Sequence, residues 1–280
     1  MPYITVGQEN SAGIELYYED HGTGRPVVLI HGFPLNGASW EKQLPVLLAA
    51  GYRVITYDRR GFGRSDRPTH GYDYDTFAAD LNAVMEKLDL QDAALVGFSM
   101  GTGEVTRYLG NHGSRRVGLA VLVAPIPPFL LKTDDNPAGV DQSVFDDIMS
   151  AIVADRPAYL TDFLDAFNNA DALGGTRISE QALRSQWTVA AGAAAHATLA
   201  CVPTWLTDFR DDLPKNNVPT LVVQGDQDRI LPIDSTGRRL PDLIRDSRLV
   251  EIPGGPHNIG WTHAEELNTA LMGFLDEHRR

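Results

Sequence analysis

Cysteine is almost absent from this chain. The single cysteine, Cys201, can form neither a disulfide nor a thiolate metal cluster within one chain. The residues around it supply no tight turn and no adjacent base, so we expect a small buried apolar side chain there and not a catalytic thiol.

Long apolar runs are lacking as well. The longest are strand-sized, such as VVLI at 27–30, which is far too short to cross a bilayer. The first residues, MPYITVGQEN, show neither the basic segment nor the apolar stretch of a secretory signal. We therefore expect a cytoplasmic protein that has no membrane partner.

Basic residues are fewer than acidic residues. The chain has 24 Lys and Arg against 37 Asp and Glu, a formal net charge of −13. An acidic surface repels phosphate backbones, which makes a nucleic-acid partner improbable. The hydrophobic content of 43% and the charged content of 22% are ordinary for a globular protein of 280 residues.

Short apolar runs alternate with amphipathic stretches along most of the chain. Helices are expected over about 40–50, over about 77–88 and directly after Ser99. The predicted strands are continuous apolar runs, which is typical of a parallel sheet covered on both faces and hence of an α/β protein. These strands are 14–18, 27–30, 53–57, 94–98, 119–124, 220–225 and 248–252.

The stretch 125–217 interrupts this alternation. It begins with a proline-rich segment and continues with helix-like segments that carry aromatic residues, and it has no strand signal of comparable strength. We interpret it as a helical cap inserted between two strands of one core. That core would be formed by residues 1–124 and 218–280.

The strongest chemical signal is the G-x-S-x-G sequence Gly97-Phe98-Ser99-Met100-Gly101. A predicted strand precedes it and a predicted helix follows it, which is the setting that a nucleophile elbow requires. Such a turn exposes the serine hydroxyl near a helix N-terminus that favours negative charge. We therefore predict that Ser99 is a nucleophile and not a structural serine in a tight turn.

A serine hydroxyl needs a base that takes its proton, and histidine suits this role near neutral pH. His257 is favoured among the eight histidines, because it lies in the loop GGPHNIG directly after the last predicted strand. The base in turn needs a carboxylate that fixes its tautomer. Asp226 and Asp228 follow a strand end between Ser99 and His257, in the chain order that G-x-S-x-G enzymes use.

The oxyanion formed on attack needs two N–H donors. Met100 directly follows the nucleophile and supplies one. The second is expected from the loop His31–Pro34, where the Phe33 amide is best placed because Pro34 has no N–H. The chain contains no phosphate-binding loop, no complete dinucleotide fingerprint and no zinc motif, so we expect no cofactor and no metal.

Six segments carry a family resemblance: HGFPLNGASW, YDRRGFGRSDRP, YDYDTFAADL, GFSMGTGEVTRY, VPTLVVQGDQDRILPI and PHNIGWTHAEELN. They resemble the cofactor-independent, non-heme haloperoxidase and esterase branch of the α/β-hydrolase superfamily, with actinobacterial γ-lactamase especially close. This resemblance implies an α/β-hydrolase fold, with a mostly parallel eight-stranded sheet flanked by helices. It also implies a helical cap inserted after strand 6.

By the same resemblance, Ser99, Asp228 and His257 form the triad, because relatives place the acid three residues after the glycine that corresponds to Gly225. Phe33 and Met100 are then the oxyanion donors. Many relatives have glycine after the histidine, where this chain has Asn258, which tolerates left-handed geometry. Each side chain expected in the substrate pocket could equally be ordinary core, namely Phe33, Ile126, Phe129, Trp205 and Ile230.

The function implied is that of a serine hydrolase that acts through an acyl-enzyme on small carboxylic esters or cyclic amides. Perhydrolysis by hydrogen peroxide would accompany it, and neither heme nor vanadium is implied. The alternatives are a peroxide-using haloperoxidase and a non-catalytic ligand-binding protein of the same fold. The expected partner is a small acyl substrate, and an oligomer of identical chains is left open.

Overall fold

One eight-stranded sheet organises this computed structural model, which describes residues 2–279. The strand order is β1-β2-β4-β3-β5-β6-β7-β8; β1 and β2 are antiparallel to their neighbours, and β3 to β8 run parallel. The predicted mostly parallel sheet is confirmed. The strands are β1 Tyr3–Glu9, β2 Ala12–His21, β3 Pro26–Ile30, β4 Arg53–Tyr57, β5 Ala93–Phe98, β6 Val117–Val123, β7 Thr220–Gly225 and β8 Ser247–Ile252.

Helices cover both faces of this sheet. They are α1 Leu44–Ala49, α2 Tyr74–Lys87, α3 Met100–His112, α4 Gln142–Asn168, α5 Ala170–Leu173, α6 Glu180–Ala191, α7 Ala195–Cys201, α8 Ile259–Thr262 and α9 Ala264–Glu277. Short 3-10 turns occupy Gly37–Trp40, Val202–Leu206, Leu213–Lys215 and Gly237–Asp242.

Alternating side chains of the central strands enter two different apolar layers. Val27 and Leu29 of β3 pack in the layer that α1 and α9 cover, whereas Val28 and Ile30 pack in the layer under α2 and α3. Strands β5 and β7 are buried along their whole length. This double burial explains why these strands are continuous apolar runs in the sequence.

The structure differs from the sequence predictions at one helix and at one additional strand. The helix predicted over about 40–50 is a 3-10 turn capped by Asn36, followed by α1, which starts only at Leu44 with Pro45 in its first turn. Strand β1 was not predicted. It lies at the sheet edge with Ile4 as its only fully buried residue, so it lacks the apolar run that marks the inner strands.

Helices α4 to α7 lie between β6 and β7 in the chain, within the stretch 125–217 interpreted above as a cap. Helix α4 is broken at Asp155, whose φ and ψ of −157° and 86° are not helical. Pro157 stands just after the break, and the Asp155 carboxylate accepts the Ala158 N–H at 3.1 Å. Beyond the break, α4 carries Phe163, which lines the same cavity as Ser99.

Candidate active site

Ser99 occupies a sharp turn between β5 and α3. Its φ of +53° and ψ of −119° are rare for a residue with a side chain, a conformation that costs about 1–3 kcal/mol. Close backbone packing maintains the turn, since a Cβ at Gly97 would lie 2.5 Å from the Gly101 carbonyl oxygen and one at Gly101 would lie 2.3 Å from that of Ile30. The serine hydroxyl is thereby held at the carboxyl edge of the sheet.

A hydrogen-bond chain joins the serine, the histidine and the aspartate. His257 Nε2 lies 2.8 Å from Ser99 Oγ, and His257 Nδ1 lies 2.8 Å from Asp228 Oδ2. All three side chains are buried. Because a carboxylate oxygen accepts, Nδ1 carries the imidazole hydrogen and leaves Nε2 free to accept the serine proton. This is the arrangement that general-base activation of a serine requires.

The Asp228 carboxylate is fixed from its other side by the loop after β7. Its Oδ1 accepts the N–H groups of Ile230 and Leu231 at 2.9 and 2.8 Å, and Gln224 Nε2 donates to Oδ2 at 3.2 Å. Asp226 has a different task, because its Oδ1 accepts the Gly254 N–H at 2.7 Å and so caps the turn after β8. The structure therefore brings Asp228, and not Asp226, to His257.

The two predicted oxyanion donors lie beside the serine. Strands β3 and β5 pair with Ile30 opposite Gly97, so the loop after β3 runs along the elbow. A Cβ at Gly32 in that loop would lie only 2.9 Å from Ser99 Cβ. Within residues 2–279 neither the Phe33 N–H nor the Met100 N–H has a protein acceptor, which leaves both free for a substrate oxygen.

Both ring nitrogens of His31 are engaged by backbone groups of the loop after β3 and of Arg59. Its Nε2 accepts the Arg59 backbone N–H at 2.9 Å, so its Nδ1 carries the hydrogen and donates to the Gly32 carbonyl at 2.9 Å. Burial, with Arg59 nearby, holds the pKa of His31 well below its ordinary value. The imidazole is therefore neutral, and its two hydrogen bonds hold the loop in place.

Arg59 ties this loop to helix α3 through a buried ion pair. Its Nη2 donates to the His31 carbonyl at 2.9 Å, and its Nε and Nη2 lie 2.9 and 2.8 Å from Glu104 Oε2. The Tyr57 hydroxyl donates to Glu104 Oε1. The side chains of Arg59 and Glu104 are 1% and 0% exposed, so each charge depends on the other for compensation. The sequence predictions did not identify this network.

A small cavity opens beside Ser99, with a volume of about 30 Å³. Its wall is almost entirely apolar. It is lined by Ser99 together with Phe33, Ile126, Phe163, Trp205, Ile230 and Leu231. Four of the five predicted pocket residues therefore line it, and the sequence prediction missed Phe163 and Leu231.

Phe129 is the predicted pocket residue that lies elsewhere. Its ring packs under the Arg210 guanidinium, 4.9 Å from the ring centroid, and away from the cavity beside Ser99. Arg210 is itself held by Asp208 and Asp135. This cation–π contact explains why a large aromatic residue is buried there without lining the cavity.

Metal ligands, the single thiol and apolar helices are the remaining features of residues 2–279. No three His, Cys, Asp or Glu side chains cluster there in a way that could hold a metal ion. Cys201 is buried, and burial raises the pKa of its thiol to about 12.

Within residues 2–279 no single helix is long and apolar enough to cross a membrane. The pair Glu180–Ala191 and Ala195–Leu206, which is bent by 94°, meets the length and composition criteria only when taken together.

The chain belongs to the alpha/beta hydrolase fold family, which it matches over residues 25–264. A Synechocystis sp. protein provisionally named a non-heme chloroperoxidase is 69% identical over 275 residues, covering 98% of this chain and 100% of that one. The bifunctional esterase/perhydrolase of Acinetobacter calcoaceticus is 34% identical over 98% and 99% of the two chains. The crystal structure of a bromoperoxidase from Bacillus anthracis superposes with a TM-score of 0.94, at 47% identity over 98% and 99% of the chains.

Proposed function

We propose that this α/β hydrolase is a serine hydrolase that acts on small carboxylic esters or cyclic amides through an acyl-enzyme on Ser99. The observation that supports this most directly is the chain of two 2.8 Å contacts from Ser99 Oγ through His257 to Asp228. In the proposed reaction Oγ attacks the acyl carbon while His257 Nε2 takes its proton. The Phe33 and Met100 N–H groups stabilise the oxyanion.

The intermediate then collapses. The bond to the leaving group breaks, and His257 returns its proton to the departing oxygen or nitrogen, which leaves the acyl group on Ser99. Water attacks this ester with His257 again acting as base, and the acid is released. Asp228 orients the imidazole and stabilises its charged form throughout.

The cavity argues for a short acyl group. With a volume of about 30 Å³ and an apolar wall, it favours a small apolar acyl group over a long chain. We therefore expect kcat/KM to be highest for acetate and propionate esters. A longer acyl chain would meet more of the aromatic wall, which includes Phe163 and Trp205.

Hydrogen peroxide is the proposed alternative to water as the second nucleophile. Similarity to an esterase/perhydrolase and to a bromoperoxidase favours this addition. Attack of peroxide on the acyl-enzyme releases a peracid, which oxidises halide away from the protein. Bromination should then depend on an added carboxylate; bromination without one would favour a dedicated haloperoxidase.

The test is turnover of p-nitrophenyl esters of increasing acyl length and of a bicyclic γ-lactam. Wild type is compared with Ser99→Ala and with Ser150→Ala, a matched change at an exposed serine. We expect hydrolysis by wild type and by Ser150→Ala and none above background by Ser99→Ala. Equal turnover by Ser99→Ala would contradict the proposal, and tight ligand retention without turnover by any variant would indicate a binding protein.

A further inference from the structure

The last turn of cap helix α4 contacts both loops that carry the acid and the base. We name its residues Phe167–Asn169 the clamp. This contact involves neither Ser99 nor the oxyanion donors, and the proposed reaction assigns it no task. It nevertheless connects the cap to the two triad residues that follow it in the chain.

Two hydrogen bonds join the clamp to the histidine loop. The Phe167 carbonyl accepts the Asn258 backbone N–H at 2.9 Å, and Asn168 Oδ1 accepts from Asn258 Nδ2 at 2.9 Å. The Phe167 ring also meets the His257 imidazole edge to face, with centroids 4.9 Å apart. The residue directly after the base is thus held by backbone and side chain together.

A third hydrogen bond joins the clamp to the acid loop. Asn169 Nδ2 donates to the carbonyl of Gln227, the residue before Asp228, at 3.0 Å. Asn169 has a left-handed backbone, with φ of +47°, which ends α4 and turns its side chain towards this loop. One helix end therefore fixes the neighbours of both Asp228 and His257.

The clamp is anchored within the cap as well. Asn168 is fully buried, and its Nδ2 donates to Gln186 Oε1 of α6 at 2.8 Å and to the Leu164 carbonyl at 2.9 Å. An amide chain thus runs from α6 through Asn168 to Asn258. One turn before the clamp, Phe163 lines the cavity beside Ser99, so the same helix contacts the site of the acyl group.

We propose that Asn168 and Asn169 are positioning residues through which the docked cap aligns His257 and Asp228. The inference rests on the proposed serine-hydrolase function and extends it. The cap then does more than shape the cavity, because its docked position determines the orientation of His257 and hence the rate of proton transfer. Misplacing a reacting group by about 1 Å can lower a rate about 100-fold, so three short contacts at these loops are sufficient to matter.

The experiment is a double-mutant cycle of Asn168→Ala and Asn258→Ala, with Asn169→Gly measured separately. Glycine adopts the positive φ of position 169 readily, so that change removes only the side-chain contact. Arg67→Ala is the control, because Arg67 Nη2 bonds the cap carbonyl of Gly192 at 3.0 Å without touching the triad loops. kcat and KM for p-nitrophenyl acetate are measured with urea unfolding of each variant.

In Asn168→Ala, Asn258→Ala and Asn169→Gly, the clamp variants, we expect kcat to fall about tenfold or more while KM changes less than about threefold. A misaligned base impairs chemistry and not binding. The loss in the double variant should be close to that of the worse single variant. Additive losses, or losses no larger than in Arg67→Ala, would overturn the inference. If Asn168→Ala does not fold, Asn258→Ala and Asn169→Gly decide by the same criterion.

Failure of the inference is distinguishable from failure of the proposed function. Covalent labelling of Ser99 by a fluorophosphonate is followed by mass spectrometry in wild type and Ser99→Ala. Labelling of wild type with unchanged kcat in the clamp variants removes only the inference. Absence of both labelling and Ser99-dependent turnover removes the function and the inference together.

Discussion

The buried ion pair behind the oxyanion loop gives the sharpest stability prediction. Glu104→Gln keeps the shape of the side chain but presents one acceptor oxygen where the carboxylate presents two. One carboxylate oxygen of Glu104 accepts from Tyr57 and the other from Arg59, so one of these partners must face an NH2 group in the variant. Arg59, 1% exposed, also loses its counter-ion.

An uncompensated buried charge costs about 3–5 kcal/mol. Since domains of this kind unfold with a free energy of about 5–15 kcal/mol, the variant should lose a large fraction of its stability. Arg59 also holds the His31 carbonyl, so the oxyanion loop should loosen and kcat should fall more than KM rises.

Equilibrium urea unfolding measures the first effect, and steady-state kinetics at a temperature where the variant stays folded measure the second. Glu180→Gln is the matched control, because Glu180 forms an exposed pair with Arg184 and its loss should change stability by less than about 0.5 kcal/mol. A loss in Glu104→Gln below about 1 kcal/mol would refute the assigned role of the ion pair.

Three further predictions concern the acid, the cavity and pH. Asp228→Asn should lower kcat about 10⁴-fold because an amide cannot hold the required His257 tautomer, whereas Asp226→Asn, which keeps an acceptor for its turn, should retain most activity; the reverse result would show that the acid is misassigned. Phe163→Ala should raise the octanoate-to-acetate ratio of kcat/KM, and an unchanged ratio would remove Phe163 from the acyl wall. Because the His31 pKa is lowered in the fold, the unfolded chain binds the extra proton below about pH 6.5, so urea unfolding from about pH 7 to about pH 5 should show stability falling by up to about 1.4 kcal/mol per pH unit. This loss should be smaller in His31→Asn, and parallel curves for the two proteins would contradict it.

Features with a local signature were predictable from the sequence. The inner strands are apolar runs, and the G-x-S-x-G turn owes its glycines to backbone contacts within a few ångströms of Ser99. The loops of Asp228 and His257 follow strands β7 and β8, whose carboxyl ends lie at the same sheet edge as that of β5. In a parallel sheet, loops that follow different strands therefore lie close together at one edge.

Features that depend on packing between distant segments were not predictable. Phe163 lines the cavity from the part of α4 beyond the break at Asp155, and Phe129 contacts Arg210 across 81 positions of the chain. The pairing of Arg59 with Glu104 has no local signal either. A charged residue in an otherwise mixed helix predicts solvent exposure unless its partner is known.

The position of the cap in the chain also divides the proposed catalytic residues between two stretches of sequence. Ser99 and both oxyanion donors precede the cap, whereas Asp228 and His257 follow it, with His257 lying 158 residues after Ser99. A nascent chain therefore carries a serine that has no base for much of its synthesis. On the proposed mechanism, Ser99 becomes reactive only when the last strands join the sheet, so the proposed hydrolytic activity would report on completed folding and not on the elbow alone.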